Sequence, residues 1–397
     1  MMSMMSPEEA KSKVIETSKP LDVRYVSLDE AQGHVIAEDI VAGEPVPAYP
    51  ASSVDGSFRI PSLGAGRVVE IQKQVERGNN MKDVGSDVVL GEILMKKGEY
   101  IGASEIALLA AAGVNTRVPV YRKPTVAVIS IGDEIEEPNV DVLPVGKIRD
   151  ASRTMLIAAV REATGSRSSV IMDLGIAGDC QKQLEEAMNE AISRGADIIL
   201  TTGRASIESP KGSLKSILSR TGTVHFGQVS MEPGTQGTFG TISDAFVFGL
   251  PSNPVSALTM FNVLVYPCIQ RLSGFPKDGI EIRARADTSF PVPMHPTRTS
   301  YQPVCVEFES LPEYVESSQT SIGKIAAYET GGLHVSSRMV SYRHANALMV
   351  VPSQAEHRSK LEGNGKPLSS LPAGTILPVI MLPSKRILGR QSPPGQH

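Results

Sequence analysis

The sequence predicts an α/β protein: a doubly wound central domain flanked by a mixed N-terminal domain and a small C-terminal all-β domain. Three observations carry that expectation. Residues 125–131 are β-branched or small and apolar, without a charge until Gly132-Asp133-Glu134, the pattern of a strand buried on both faces that ends in a polar turn. From 125 to 272, strand-like and helix-like stretches alternate, as in parallel strands joined by crossover helices. After Pro276, period-2 stretches such as 280–286 and 304–308, broken by Pro and Gly, replace that alternation.

Composition narrows the function classes. A chain of 397 residues has room for two to four domains. A net charge of -4 supplies neither the basic field of a nucleic-acid binder nor a polybasic membrane face, so neither partner is expected. Cys180, Cys268 and Cys305 are widely spaced without a C-x-x-C, which reads as free thiols in a reducing compartment and excludes a structural zinc site. The start of the chain lacks a signal-peptide pattern, and the longest apolar segment, around 255–268, is interrupted by Ser256, Thr259, Asn262 and Pro267. A cytoplasmic protein without membrane insertion is expected.

Taken in order, Ser6-Pro7-Glu8-Glu9 combines a capping residue, Pro at the first helical position and Glu three after the cap, so a helix is expected to about Ser18. Ser27-Leu28-Asp29-Glu30 repeats the pattern and opens a shorter helix that Gly33 ends. Between Glu44 and Gly66, the four prolines Pro45, Pro47, Pro50 and Pro61 and the glycines Gly56, Gly64 and Gly66 predict irregular chain and a boundary. Residues 92–95 read as a strand, Ser104 as the cap of an alanine- and leucine-rich helix ending at Gly113, and 116–121 as another strand. The expected domains are 1–124, 125–274 and 275–383, with a disordered tail at 384–397.

Within the central domain, Asp150 is expected to cap a helix through Ala163, 169–174 to form a second strand, and Asp179 to cap a helix with Leu184, Ala187, Met188, Ala191 and Ile192 on its core face. Residues 197–202 supply a third strand, and 224–230 and 239–250 read as further strands with a turn at Ser243-Asp244. Asn253-Pro254 starts a long helix ending at Gly274. In open α/β sheets, ligands gather where strands end, so the tips at 132–134, 173–179 and 201–203 are expected to converge on one crevice.

The residues there suit an anionic ligand. Gly249-Leu250-Pro251-Ser252-Asn253-Pro254-Val255-Ser256 joins a strand to a helix N-terminus, where unpaired N–H groups attract phosphate; an ordinary strand-helix turn is the even alternative. Asp133 and Glu134 are adjacent carboxylates suited to Mg²⁺, whereas Asp150 and Asp179 read first as caps. Thr201-Thr202-Gly203-Arg204-Ala205-Ser206 can turn hydroxyls and N–H groups toward the same anion, or can be a solvated loop. Asp55-Gly56 reads as a turn. No catalytic elbow, Walker loop or dinucleotide fingerprint is present in the sequence.

Six ordered motifs resemble those of molybdopterin molybdenumtransferases, the MoeA family that includes the E domain of gephyrin-type proteins: 47–56, Gly132-Asp133-Glu134, 146–150, Asp173 to Ile176 with Asp179, 249–256, and Ser336-Ser337-Arg338 with Ala345-Asn346-Ala347. The resemblance covers nearly everything from Ser6 to Leu382. It implies a homodimeric enzyme of molybdenum cofactor synthesis that inserts molybdate into adenylylated molybdopterin and releases AMP with Mg²⁺ assisting, supplied by a molybdopterin adenylyltransferase domain in trans or fused in relatives. By the same resemblance Asp55, Asp87, Glu134 and Asp179 are active-site acids, and Gly132, Asp133, Asp150, Gly203, Ser206, Asn253, Pro254, Ser256 and Arg338 bind substrate, with Asp133 and Glu134 as metal ligands.

The chain departs from the family pattern in five places. Near 56–84 most of a β-rich lid domain is missing. Lys211 stands where the family has an aspartate, Ala151-Ser152 replaces Ser-Asn and Ser252 replaces Gly. Glu232-Pro233-Gly234-Thr235-Gln236 replaces Lys-Pro-Gly-Lys-Pro, and a unit charge pair at about 4 Å is worth roughly 4 kcal/mol at an effective dielectric near 20. Glu232 is therefore expected to repel an oxyanion that a lysine would hold. A catalytically impaired homologue serving as a dimeric scaffold or pterin binder is the alternative these departures raise.

Overall fold

The computed structural model describes residues 4–52, 78–114, 117–165, 171–203, 214–277, 283–308, 325–329, 339–360 and 368–383. The chain divides into two units, 21–122 on one hand and 1–20 with 123–397 on the other.

The 21–122 unit is built from short antiparallel pairs. Val23–Val26 pairs with Val118–Tyr121, Ile40–Val41 with Ile93–Met95, and Ala51–Ser52 with Met81–Lys82. A helix, Ala103–Ala111, closes a core of Ala31, Ile36, Ile40, Met95, Ile101, Leu109, Val118 and Val120. The N-cap of that helix is Gly102 rather than the expected Ser104, because Glu105 reaches back to accept from the Gly102 N–H at 2.9 Å while Ser104 turns its hydroxyl onto Glu105. The short helix after Ser27 is Leu28–Ala31. Most of the expected truncated lid lies outside the described residues.

In the larger unit, Pro7–Thr17 forms as the sequence dictates: the Ser6 hydroxyl accepts from the Glu9 N–H, and the Glu9 carboxylate accepts from the Ser6 N–H at 2.9 Å. Its buried face, Ala10 and Val14, packs on Tyr266–Leu272, which places this helix with the central domain.

The central sheet has the spatial order Ile171–Ala177, Val126–Ile131, Ile198–Gly203, Ala245–Pro251, Thr238–Ile242, Thr223–Phe226. The first four strands are parallel, Thr238–Ile242 pairs antiparallel to Ala245–Pro251, and Thr223–Phe226 pairs antiparallel to Thr238–Ile242. The chain leaves the central strand for one neighbour and returns to the other, so strand order reverses between Val126–Ile131 and Ile198–Gly203. Every residue of these two strands is buried, as their mostly apolar and β-branched composition favours. Helices Ala151–Thr164 and Gln181–Ser193 are the crossovers. The strand expected over 224–230 stops at Phe226, and Met231–Glu232 instead pairs in parallel with Thr299–Ser300 of the C-terminal sheet.

The long helix spans Pro254–Leu272 through a π-helical turn at Phe261–Val265. Pro267 lacks an N–H and its ring would clash with the carbonyl one turn back, so the widened turn directly before it is the local relief. By length and composition alone this helix could cross a membrane, but most of it is buried inside the protein, where it serves as the core helix.

The C-terminal domain is a closed five-stranded barrel in the cyclic order Thr299–Phe308, Ile325–Glu329, Arg283–Thr288, Ile376–Met381, Ala347–Val351. Its core takes alternate residues, Val304 and Val306, Ala347, Met349 and Val351, Leu377 and Val379. Asn346 fastens one seam, accepting from the Val306 N–H at 2.7 Å and donating to its carbonyl at 2.8 Å. The domain is not all-β. Helix Gln354–Lys360 is capped reciprocally by Ser353 and Glu356, an S-x-x-E signature in the sequence.

Two positions in this unit yield stability tests. Gly203 has φ +123°, and a Cβ there would lie 2.0 Å from the Ile131 carbonyl oxygen. Gly203→Ala is therefore expected to cost about 3 kcal/mol or more, read as a lower denaturant midpoint; an unchanged midpoint would contradict the close approach. Burial pushes the Lys123 ammonium from its ordinary value near 10.5 down to about 8. Between those values the unfolded chain binds the additional proton, so stability rises with pH there, and below pH 8 the full cost is carried. Lys123→Met is expected to gain up to about 3 kcal/mol at pH 7, a gain that shrinks as pH climbs from 8 toward 10.5; a pH-independent gain would count against it.

Candidate functional site

At the point where strand order reverses, the structure has a cleft of about 70 Å³ lined by Ser130, Glu134, Ile135, Ile148, Arg149, Asp150, Ala151, Ser152, Thr202, Gly203, Ser252 and Pro254. Two of the three expected strand tips supply it, those of Val126–Ile131 and Ile198–Gly203; the expected 173–179 tip is not among the lining residues, and the end of Ala245–Pro251 takes its place, because that strand is the parallel neighbour of Ile198–Gly203. Gly203 permits the closure, since its missing Cβ lets it lie against the Ile131 carbonyl. Gly132 acts similarly: a Cβ there would sit 2.7 Å from Glu134 Oε2, so the glycine leaves the space into which that carboxylate folds.

The carboxylates are divided among different tasks. Asp150 caps the helix Ala151–Thr164, accepting from the Arg153 N–H at 3.0 Å, and its second oxygen accepts from Arg153 Nε at 2.8 Å. Arg153 is buried and also donates to Asp173 and Glu137. Burial alone would lower the Arg153 pKa, but the bonds to Asp150 and Asp173 raise it above the usual arginine value, so the cation is fixed. Asp150 is consequently a structural ion-pair partner at the cleft wall, with both oxygens committed.

Asp133 Oδ1 accepts from the Asp179 N–H at 3.0 Å, and the Asp133 carbonyl accepts from Lys147 at 2.6 Å. The helix Gln181–Ser193 has Cys180 at its N-cap, so Asp179 stands one residue before the position expected of it. Among the described residues no group of three or more His, Cys, Asp or Glu side chains is placed to hold a metal. With Asp150 committed to Arg153 and Asp133 engaged by a backbone N–H, the donor set does not fit the Mg²⁺ site expected at Asp133 and Glu134, and no step through that ion is derived.

The expected anion site at the long helix is likewise occupied from within. Asn253 Oδ1 accepts from the Val255 N–H at 2.9 Å and the Ser256 N–H at 3.2 Å, while Pro254 has no N–H to offer. Asn253 is therefore a cap, and Ser256 presents no N–H to a ligand. Glu232 does not act as the repulsive charge its sequence position suggests, because Arg298 Nη1 donates to it at 2.7 Å. Asp87 lies in the 21–122 unit, paired with Lys82 at 2.9 Å. Asp55, Ser206, Lys211 and Arg338 lie outside the described residues.

Sequence reasoning passed over Ser130 and Arg153, and met Ser152 only as a departure from the family pattern. Ser130 is the one polar residue inside an apolar strand, and its fully buried hydroxyl has no partner among the described residues. Ser152 donates to the Ser252 carbonyl at 3.2 Å and Thr202 to the Pro251 carbonyl at 3.1 Å, binding the strand ends to the start of the helix. Arg149 lines the cleft with its Nη1 held by the carbonyls of Pro138 and Val140, at 2.7 and 2.6 Å.

Breaking the Arg153 cluster leaves three carboxylates facing one another. Arg153→Met is expected to cost about 3–5 kcal/mol in a chemical-denaturation series, and adding Asp150→Asn to it should cost less than the sum of the two single changes. Strict additivity would dissolve the cluster as a unit.

Comparison with known proteins bears on this site. Residues 127–271 match a family model described as a probable molybdopterin binding domain. Gephyrin of Dictyostelium discoideum is 29% identical over 322 residues, 74% of this chain but 43% of that protein, so the chain spans under half of its length. Molybdopterin molybdenumtransferases of Haemophilus influenzae and Staphylococcus aureus are 29% and 25% identical, covering 68% and 87% of this chain and 78% and 91% of theirs. Two structures of the molybdopterin biosynthesis MoeA protein from Pyrococcus horikoshii superpose with TM-scores of 0.70 and 0.68 at 24% and 21% identity, covering 96% of this chain and 99% and 100% of those chains, which establishes the shared fold. Residues 127–271 thus match a probable molybdopterin binding domain, and the chain is similar in sequence to gephyrin and molybdopterin molybdenumtransferases and shares the fold of the MoeA structures.

Proposed function

We propose that the chain is a molybdopterin molybdenumtransferase-like protein of molybdenum cofactor synthesis, which takes adenylylated molybdopterin and molybdate as substrates and releases AMP. The observation that carries this reading is the cleft at the reversal of strand order. It lies within the segment matched by the molybdopterin-binding family and gathers Glu134, Thr202, Gly203 and Ser252 from three strand ends. The curated relatives that match most of the chain are named for this reaction.

In this reading the chain's own residues hold the substrate rather than form a bond to it. The rigid strand ends fix the cleft, so a ligand seated there is oriented without reorganisation of the protein. Glu134 is the acidic side chain of the cleft wall that the Arg153 cluster leaves available to the ligand. Asp55, Asp87, Asp179, Ser206 and Arg338 belong to the reading by resemblance. So do a homodimer, a cytoplasmic location and an adenylyltransferase domain that supplies the substrate.

The deciding assay mixes the purified chain, its dimer verified by sedimentation, with adenylylated molybdopterin, molybdate and Mg²⁺, and follows AMP by chromatography. AMP is expected to appear stoichiometrically with substrate consumed, and Glu134→Ala to slow it by about a hundredfold or more. A chain that sediments as a monomer or yields no AMP overturns the corresponding part of the reading.

A further inference from the structure

A second pocket, of about 270 Å³, lies further along the two helices that begin at the cleft. Its floor is apolar: Met155 comes from helix Ala151–Thr164, Leu258 and Phe261 from the long helix, Met339 from the turn Met339–Tyr342, and Leu382 from just after the last barrel strand. Met339 is 38% exposed, and Met155 and Leu258 are half-buried, so this is apolar surface that water wets at a cost. Glu162 and Arg343 are the charged residues of the lining. With one charge of each sign, the rim selects a register, and the affinity for an occupant has to come from the floor.

The chain itself runs out of the described residues in this wall. Pro383, the last of them, lines the pocket. The residues that follow are Ser384-Lys385-Arg386-Ile387-Leu388-Gly389-Arg390, and Ile387 and Leu388 are the only large apolar residues between 384 and 397, directly preceded by two cations. Ile387 is four residues beyond Pro383, and four residues of extended chain span about 13 Å, more than the roughly 8 Å across a compact cavity of this volume. A tether this short holds the pair at a millimolar effective concentration, so an apolar contact too weak to join separate molecules suffices.

We propose that residues 384–388 fold back into this pocket, with Ile387 and Leu388 on the apolar floor and the Lys385-Arg386 pair toward Glu162. The disordered tail expected from the sequence is then shortened to 389–397. In this position the segment straps the end of the barrel to the helices Ala151–Thr164 and Pro254–Leu272, whose first residues line the cleft. The proposal goes beyond the proposed function and is independent of what the cleft binds.

Trypsin tests it on the full chain, because it cuts after Lys385 and Arg386, and early loss of the terminal peptide is read by mass spectrometry. At limiting trypsin the parent is expected to lose that peptide at least about tenfold more slowly than a double variant, Ile387→Ser with Leu388→Ser, which keeps both cleavage sites. Ala158→Arg, at an exposed helical position of the pocket, should release the tail to a similar extent with the tail sequence intact. Met339→Ser provides the same reading without adding bulk, should Ala158→Arg melt well below the parent. Protection should be unchanged over about a hundredfold dilution, as a tethered contact requires. Equal cleavage of parent and double variant overturns the proposal, and so does protection that survives the pocket variant. Protection that fades on dilution also overturns it, since the tail is then held by a second copy.

Discussion

The structure of the site depends on one close approach. The last residue of Ile198–Gly203 lies against the carbonyl of Ile131, nearer than any side chain allows, and glycine is the residue that lets two parallel strands end shoulder to shoulder at the reversal of strand order. With a side chain there, the tips carrying Glu134 and Thr202 would be forced apart. The cleft would then open into a groove without a defined wall. The same strands are buried along their whole length, so the approach is set by the core and not by the loops.

A second constraint sits beneath it and is electrostatic. Arg153 and Asp150 form a buried pair that Asp173 and Glu137 complete from the solvent side, tying the start of a helix to the neighbouring strand and loop. An unpaired buried carboxylate is expensive, and so is an unpaired buried guanidinium, so Asp150 and Arg153 are tolerable only together. The consequence for function is a division among acids that look equivalent in the sequence. Asp150 maintains the frame, Asp133 receives a backbone N–H from the next loop, and Glu134 lines the cleft.

Most of the fold was legible because it rests on local rules. The mostly apolar, uncharged run at 125–131, the caps at Ser6, Asp150 and Asn253 and the alternation in the C-terminal domain each dictate their element from neighbouring residues alone. What the sequence concealed was a choice between partners far apart in the chain. Asp150 was readable as a cap but not as the partner of an arginine that also reaches Asp173. The anion site at Asn253 was plausible from the helix start, yet the side chain that caps the helix consumes the N–H groups that an anion would need. Ser130 reads as one polar residue inside an apolar strand, and its position beside the cleft at the end of that strand appears only in the structure.

The departures from the family pattern take on a different weight once their surroundings are known. Glu232 stands where a cation was expected, and its charge is met by Arg298 of the barrel, beside the short parallel pairing of Met231–Glu232 with Thr299–Ser300. Arg298 also donates to Thr235 at 2.7 Å, so the residues replacing the lysine-rich segment form a joint between the central domain and the barrel. The Ser152 hydroxyl donates to the Ser252 backbone carbonyl, an acceptor that any residue at 252 offers, so this bond ties the start of the helix to the strand end without depending on the Ser252 side chain. Of the departures within the described residues, the charged one at Glu232 is thus met by a cation and the one at Ser152 finds a backbone partner.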